Sequence, residues 1–126
     1  MDATDRAAPV RALWDAFNVR DWDRAAKLLS PDFVVDWPQS RERIRGIENF
    51  LAVNRNYPGN WWIHVEAVHV AEDVVVSRIR IDIDGRTDYG LSFFKVEGGL
   101  LRSAVEYWGE TYPAPEWRRQ WVEPLP

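Results

Sequence analysis

Apolar residues in the N-terminal part of the chain recur at helical spacing. Val10, Leu13, Trp14 and Phe17 fall at i, i+3, i+4 and i+7, one stripe of an amphipathic helix. Pro9 suits a first turn, so this helix is predicted over Ala8 to Asn18. Asp21 is placed to cap a second helix, Trp22 to Leu29, which Ser30-Pro31 ends. Phe33 to Trp37 reads as a short strand closed by Pro38. A loop, Gln39 to Arg45, leads into a third helix, Gly46 to Tyr57, with Ile47, Phe50, Leu51 and Asn54 inward and Pro58-Gly59 after it. From there the period changes to two. Strands are predicted over Trp61 to Val70, Val74 to Ile83, Thr87 to Val96 and Leu100 to Gly109, with turns at Glu72-Asp73, Asp84-Gly85 and Gly98-Gly99.

Three helices followed by an antiparallel meander is an α+β pattern, with the helices on one face of a curved sheet. Residues 1–126 make one domain. Its Pro/Trp-rich tail, 110–126, is apolar enough at Trp117 and Trp121 to be expected on the body of the domain. Hairpin geometry then sorts the strands into faces. A two-residue Gly98-Gly99 turn pairs Phe93 with Ala104, Leu91 with Glu106 and Tyr89 with Trp108. A three-residue turn around Gly85 pairs Ile81 with Thr87 and Ile79 with Tyr89. The inner face becomes Ser77, Ile79, Ile81, Tyr89, Leu91, Phe93, Ala104, Glu106 and Trp108. The outer face carries Arg78, Arg80, Asp82, Asp88, Ser92, Phe94, Ser103, Val105 and Tyr107. A slip of one residue exchanges the two.

On this reading Trp14, Phe17, Trp37, Phe50 and Tyr57 join Ile79, Ile81, Tyr89, Leu91, Phe93 and Trp108 as candidate lining of a ligand pocket. Core packing is the alternative for residues on a helix stripe. Glu106 is the one carboxylate on the inner face and the candidate catalytic residue, a general acid or base whose pKa burial would raise. The structural alternative is a glutamate bonded to Arg41, Arg43 or Arg45, or to a tryptophan N–H.

Composition narrows the chemistry. Eight tryptophans suggest an aromatic cavity, an interface, or both. The absence of cysteine excludes disulfides, thiol nucleophiles and thiolate metal sites. A net charge of −4 without a basic run argues against nucleic acid. His64 and His69 do not make a metal site, and no cofactor is implied. No apolar run approaches membrane-spanning length and MDATDRAAP lacks a signal-peptide core, so a soluble, cytoplasmic protein is expected.

The segments FNVRDWDRAAKLLSPDFVVDWP, RIRGIENFLAVN and GGLLRSAVEYWGE, in this order, resemble the nuclear transport factor 2-like, or SnoaL-like, superfamily. The resemblance implies a cone-shaped, highly curved, mostly antiparallel sheet wrapped on three N-terminal helices, a cystatin-like or SnoaL-like roll. It also implies a pocket at the wide end and a homodimer through the outer sheet face, expected around Phe94, Val105 and Tyr107. Members include steroid isomerases, polyketide cyclases, epoxide hydrolases, dehydratases and non-enzymatic modules, so fold alone leaves function open. The ketosteroid isomerase base falls on Trp37, one residue after Asp36. Its two oxyanion groups fall on Leu13 and near Leu91, so steroid isomerisation is not expected. The His–Asp pair of the dehydratases has no match, because His64 and His69 lie five apart and should point to opposite faces. Asp82, Arg80 and Asp88 are the types of an epoxide hydrolase Asp–Arg–Asp set but are expected outside.

Two functions follow. The first is binding of a small apolar or cyclic molecule, with acid–base or hydrolytic chemistry at Glu106. The second is a dimeric interaction module whose pocket is filled by its own tryptophans. An open cavity of about 300 Å³ or more marks the first.

Overall fold

The structure, a computed structural model, describes residues 5–126. After a 3-10 turn at Asp5–Ala7 come helices α1 (Ala8–Asn18) and α2 (Trp22–Ala26), strands β1 (Leu29–Trp37) and β2 (Glu42–Arg45), and helix α3 (Ile47–Arg55). Strands β3 (Trp61–Val70), β4 (Val75–Ile83), β5 (Arg86–Glu97) and β6 (Leu100–Glu110) follow, and a second 3-10 turn, Glu116–Trp121, lies in the tail. The strands form one curved sheet in the order β2-β1-β6-β5-β4-β3, antiparallel except where β1 runs parallel to β6. The expected loop before α3 therefore contains a strand. Arg41, at φ 61°, turns the chain so that Glu42 comes opposite Trp37.

The helix stripes bury as their spacing requires. Val10, Leu13, Trp14 and Phe17 are all buried, and an aromatic chain runs from Trp14 through Phe17 to Phe50 and Phe33, with centroids 5.6, 5.8 and 4.8 Å apart. Burying an indole strands its N–H unless an acceptor is supplied. Here Trp14 Nε1 donates to the Ser77 hydroxyl at 3.1 Å. At the edge of the sheet the Asn18 amide donates to the Ile63 carbonyl and accepts from the Ile63 N–H, both at 2.7 Å. The Arg20 guanidinium adds bonds to the carbonyls of Phe17, Asn18 and Trp61, which clamps the end of α1 to the start of β3.

The faces of β5 are the reverse of those expected. Asp84 and Gly85 both have positive φ, 48° and 81°, so they form a two-residue turn that pairs Ile83 with Arg86 and Ile81 with Asp88. Gly98 and Gly99 also turn in two residues and pair Glu97 with Leu100. Beyond that the register shifts. Val96 opposes Leu101 but Lys95 opposes Ser103, leaving Arg102 as the extra residue of a β-bulge. The two departures cancel for β4 and β6 and invert β5 alone. Asp88, Gly90, Ser92 and Phe94 point inward, whereas Tyr89, Leu91 and Phe93 point outward. Phe94, expected at a dimer contact, is wholly buried.

A second bulge, between Val65 and Ala67, puts His64 and His69 on the same outer face rather than on opposite ones. His64 Nε2 lies 2.8 Å from Asp82 Oδ2 there. The tail differs too: it does not pack its aromatics on the body, and Tyr112, Trp117 and Trp121 are each more than two-thirds exposed. Among the described residues no helix is long and apolar enough to cross a membrane.

The inversion of β5 separates two neighbours. Phe94→Ala should cost about 3–5 kcal/mol, the range for truncating a buried aromatic. Phe93→Ala, on the outer face, should cost about 1 kcal/mol. Urea denaturation of both variants measures the difference, and a larger loss for Phe93 would contradict this register.

Candidate functional site

One end of the cone is packed solid by Val10, Leu13, Phe33, Val75, Phe94 and Leu101. The other end, where β1, β4 and β6 finish and β3 and β5 begin, encloses a cavity of about 460 Å³. Trp14 and Phe17 of α1 form its floor. Trp37, Trp61 and Trp108 and the Tyr57 ring form its walls, with Ile63, Ile81 and Ile83 between them. The polar lining is Gln39, Ser40, Glu42, Asn54, Asp88 and Glu110. The tryptophans surround the space without filling it.

Of the residues expected to line a pocket, Trp14, Phe17, Trp37, Tyr57, Ile81 and Trp108 do so. Phe50 and Ile79 are buried in the core beneath it. Tyr89, Leu91 and Phe93 are outside, because β5 is inverted. That inversion brings in Asp88, the residue that reasoning from pattern placed on the wrong face. The two-residue turn at Asp84-Gly85 was the signal that could have found it, since Asp-Gly favours a type I′ turn and this turn puts Asp88 opposite Ile81.

Asp88 is buried, and Arg86, two residues before it on the same face, grips its carboxylate. Nε lies 3.1 Å from Oδ1 and Nη2 3.2 Å from Oδ2. The same pairing, with a smaller contribution from Glu110, holds the Arg86 guanidinium above its ordinary pKa. Glu110 stands directly across from Asp88 on β6. A carboxylate, a guanidinium and a second carboxylate thus meet at the cavity mouth. Arg80 and Asp82, the other members considered for such a set, remain on the outer face.

Glu106 is on the inner face and wholly buried, but it is not part of the cavity lining. The Trp37 indole donates to Glu106 Oε1 at 3.0 Å, and the Ser92 hydroxyl is 2.6 Å from Oε2. Among the described residues no arginine bonds to it. Arg43 is spent on Asp36, bonded to both carboxylate oxygens at 2.6 and 2.9 Å, which lowers the Asp36 pKa. Burial pushes the Glu106 carboxyl up, against the opposing effect of its two hydrogen bonds. Glu106 thus anchors the wall from behind by holding the Trp37 ring, which stands edge-on to Trp108 at 6.1 Å.

Trp108 is positioned by a glycine. A Cβ at Gly90 would come within 2.5 Å of the Trp108 ring, so only glycine lets the indole lie against β5. The backbone N–H of Trp108 donates to the Gln39 side chain, which ties the β1–β2 turn to β6.

The SnoaL-like domain family matches residues 10–104 of the chain. A candidate ketosteroid isomerase from Kribbella flavida is 30% identical and superposes with a TM-score of 0.88, over 99% of this chain and 93% of that one. A nuclear transport factor 2-like protein of unknown function from Burkholderia xenovorans is 27% identical, with a TM-score of 0.81 over 98% and 97% of the two chains. An epoxide hydrolase from Mycobacterium tuberculosis shares the fold at 18% identity and a TM-score of 0.71, over 84% of each chain. No curated protein matches the sequence.

The raised pKa of Glu106 has a signed consequence. A carboxyl that holds its proton more tightly when folded stabilises the fold at low pH and loses that contribution as pH rises from its ordinary 4.5 through its folded value. Glu106→Gln keeps an acceptor for Trp37 and a donor for Ser92 but cannot ionise. The variant should lack this decline and be at least as stable as the parent at pH 8. Urea denaturation in steps from pH 4.5 to 8 tests it, and parallel curves for the two proteins would refute the assignment.

Proposed function

The chain belongs to the SnoaL-like domain family, and on that premise we propose that its cavity holds a small, largely apolar molecule and that Asp88 exchanges a proton with it. The observation that carries this reading is an open, aromatic-walled space with one buried carboxylate set in its wall and fixed by Arg86. The cavity exceeds what a filled module would leave. Asp88 replaces Glu106 as the candidate acid–base group because it borders the space and Glu106 does not.

The chemistry suited to this arrangement is proton abstraction or hydrolysis. For hydrolysis, a water at Asp88 would give its proton to the carboxylate while its oxygen attacks an electrophilic carbon of the ligand. The bond from that carbon to its leaving oxygen breaks, and the departing oxygen takes a proton from solvent. The guanidinium fixes the carboxylate through two donors, so the acceptor oxygen needs no reorganisation as the proton moves. Screening small cyclic apolar compounds by thermal shift and by the indole N–H resonances should find binders. Asp88→Asn should keep the binding and lose any turnover by about 10²-fold or more. If no compound in such a panel moves either signal, the cavity is not a ligand site.

The outer face supports a second copy as partner, centred one residue away from the site expected from pattern. Tyr89, Leu91 and Tyr107 are each roughly 40% exposed, and Phe93 packs edge-on to Tyr107 at 6.1 Å. An apolar patch of this kind favours association through a two-fold axis. Light scattering should give the mass of a dimer, and Leu91→Glu should give that of a monomer. A monomer mass for the parent at all concentrations would end the proposal.

A further inference from the structure

The charge of the cavity is one-sided. Three of its lining residues, Glu42, Asp88 and Glu110, are carboxylates, and none is lysine or arginine. Two guanidiniums are hydrogen-bonded to lining residues, and both are committed. Arg86 is bonded to Asp88, and Arg20 is held by the carbonyls of Phe17, Asn18 and Trp61. Glu42 and Glu110 have no ion-pair partner among the described residues. They belong to different strands, β2 and β6, and the folding of the sheet brings them to one mouth.

The walls have the matching property. Indole rings attract cations through their electron-rich faces more strongly than other aromatic side chains do. One wall residue already shows it: the Arg20 guanidinium carbon sits 3.6 Å from the centroid of Trp61. A neutral apolar molecule would use the rings but leave Glu42 and Glu110 without a direct ion pair. An anion would meet both. A cation with an apolar body meets the enclosed rings and the carboxylates at the mouth together.

We infer that the molecule this cavity takes carries a positive charge, as a protonated amine or a quaternary ammonium on an apolar body. The inference rests on reading the cavity as a ligand site. It adds the charge of the ligand and assigns Glu42 and Glu110 as the residues that select it.

Three probes of one size separate the possibilities: benzyltrimethylammonium, its uncharged isostere neopentylbenzene, and phenylacetate. Binding is followed by the tryptophan indole N–H resonances of the full chain. Benzyltrimethylammonium should bind at least about tenfold more tightly than neopentylbenzene, and phenylacetate more weakly than either. The double variant Glu42→Gln/Glu110→Gln, both positions being exposed, should remain folded and lose about tenfold for the ammonium alone. Equal or tighter binding of the neutral isostere or of phenylacetate would overturn the inference while leaving the ligand site standing. Unchanged ammonium affinity in the double variant would overturn it also. If none of the three shifts an indole signal, the ligand site and its charge preference fail together.

Discussion

The phase of β5 is the constraint on which the cavity depends. A strand has only two ways to face, and two short devices choose between them here. The Asp84-Gly85 turn sets the phase from one side, and the Gly98-Gly99 turn with the bulge at Arg102 sets it from the other. Because both agree, Asp88 borders the cavity, Gly90 makes room for Trp108, Ser92 meets Glu106 and Phe94 fills the core. Rotating the strand by one residue would lose all of these together and bury Tyr89, Leu91 and Phe93 in their place.

Two carboxylates on adjacent strands illustrate how surroundings divide one functional group into two roles. Glu106 is wholly buried with two neutral partners, Trp37 and Ser92, so burial governs it and raises its pKa. Asp88 has a guanidinium on both oxygens and an open space beside it. The first suits a fixed support for an indole, and the second suits exchange with a bound molecule. Trp37 connects them, since one edge of its ring is held by Glu106 while the rest walls the cavity.

Much of the architecture was legible in the chain. The stripe from Val10 to Phe17, Pro9 in a first turn and Asp21 as a cap located α1 and the start of α2, and alternation after Trp61 located the meander. Strand β2 was not legible because ERIR offers one buried side chain, Ile44, among charged neighbours. The faces of β5 were misread for a physical reason. Its outer residues, Tyr89, Leu91 and Phe93, are more apolar than Asp88, Gly90 and Ser92, which are small or polar because of what they hold. Hydrophobic pattern reports the core, and here the cavity and its supports interrupt the core. Nothing in the local sequence marks Arg102 as the bulge. The burial of Glu106 and its tryptophan partner could be read, because an acid flanked by Ala104 and Trp108 on an inward face has few other ways to be satisfied.

The clamp at the end of α1 also bears on how the molecule behaves in company. Strand β3 is an outer strand of the sheet, and an outer strand offers unpaired backbone groups to any other strand that arrives. The Asn18 amide presents a donor and an acceptor to Ile63, imitating one residue of a neighbouring strand, and occupies both groups. A side chain on a helix thereby terminates the sheet where an incoming strand would otherwise register. The clamp that ties the start of β3 to α1, two residues from Trp61 at the cavity, is at the same time a guard against edge-to-edge aggregation.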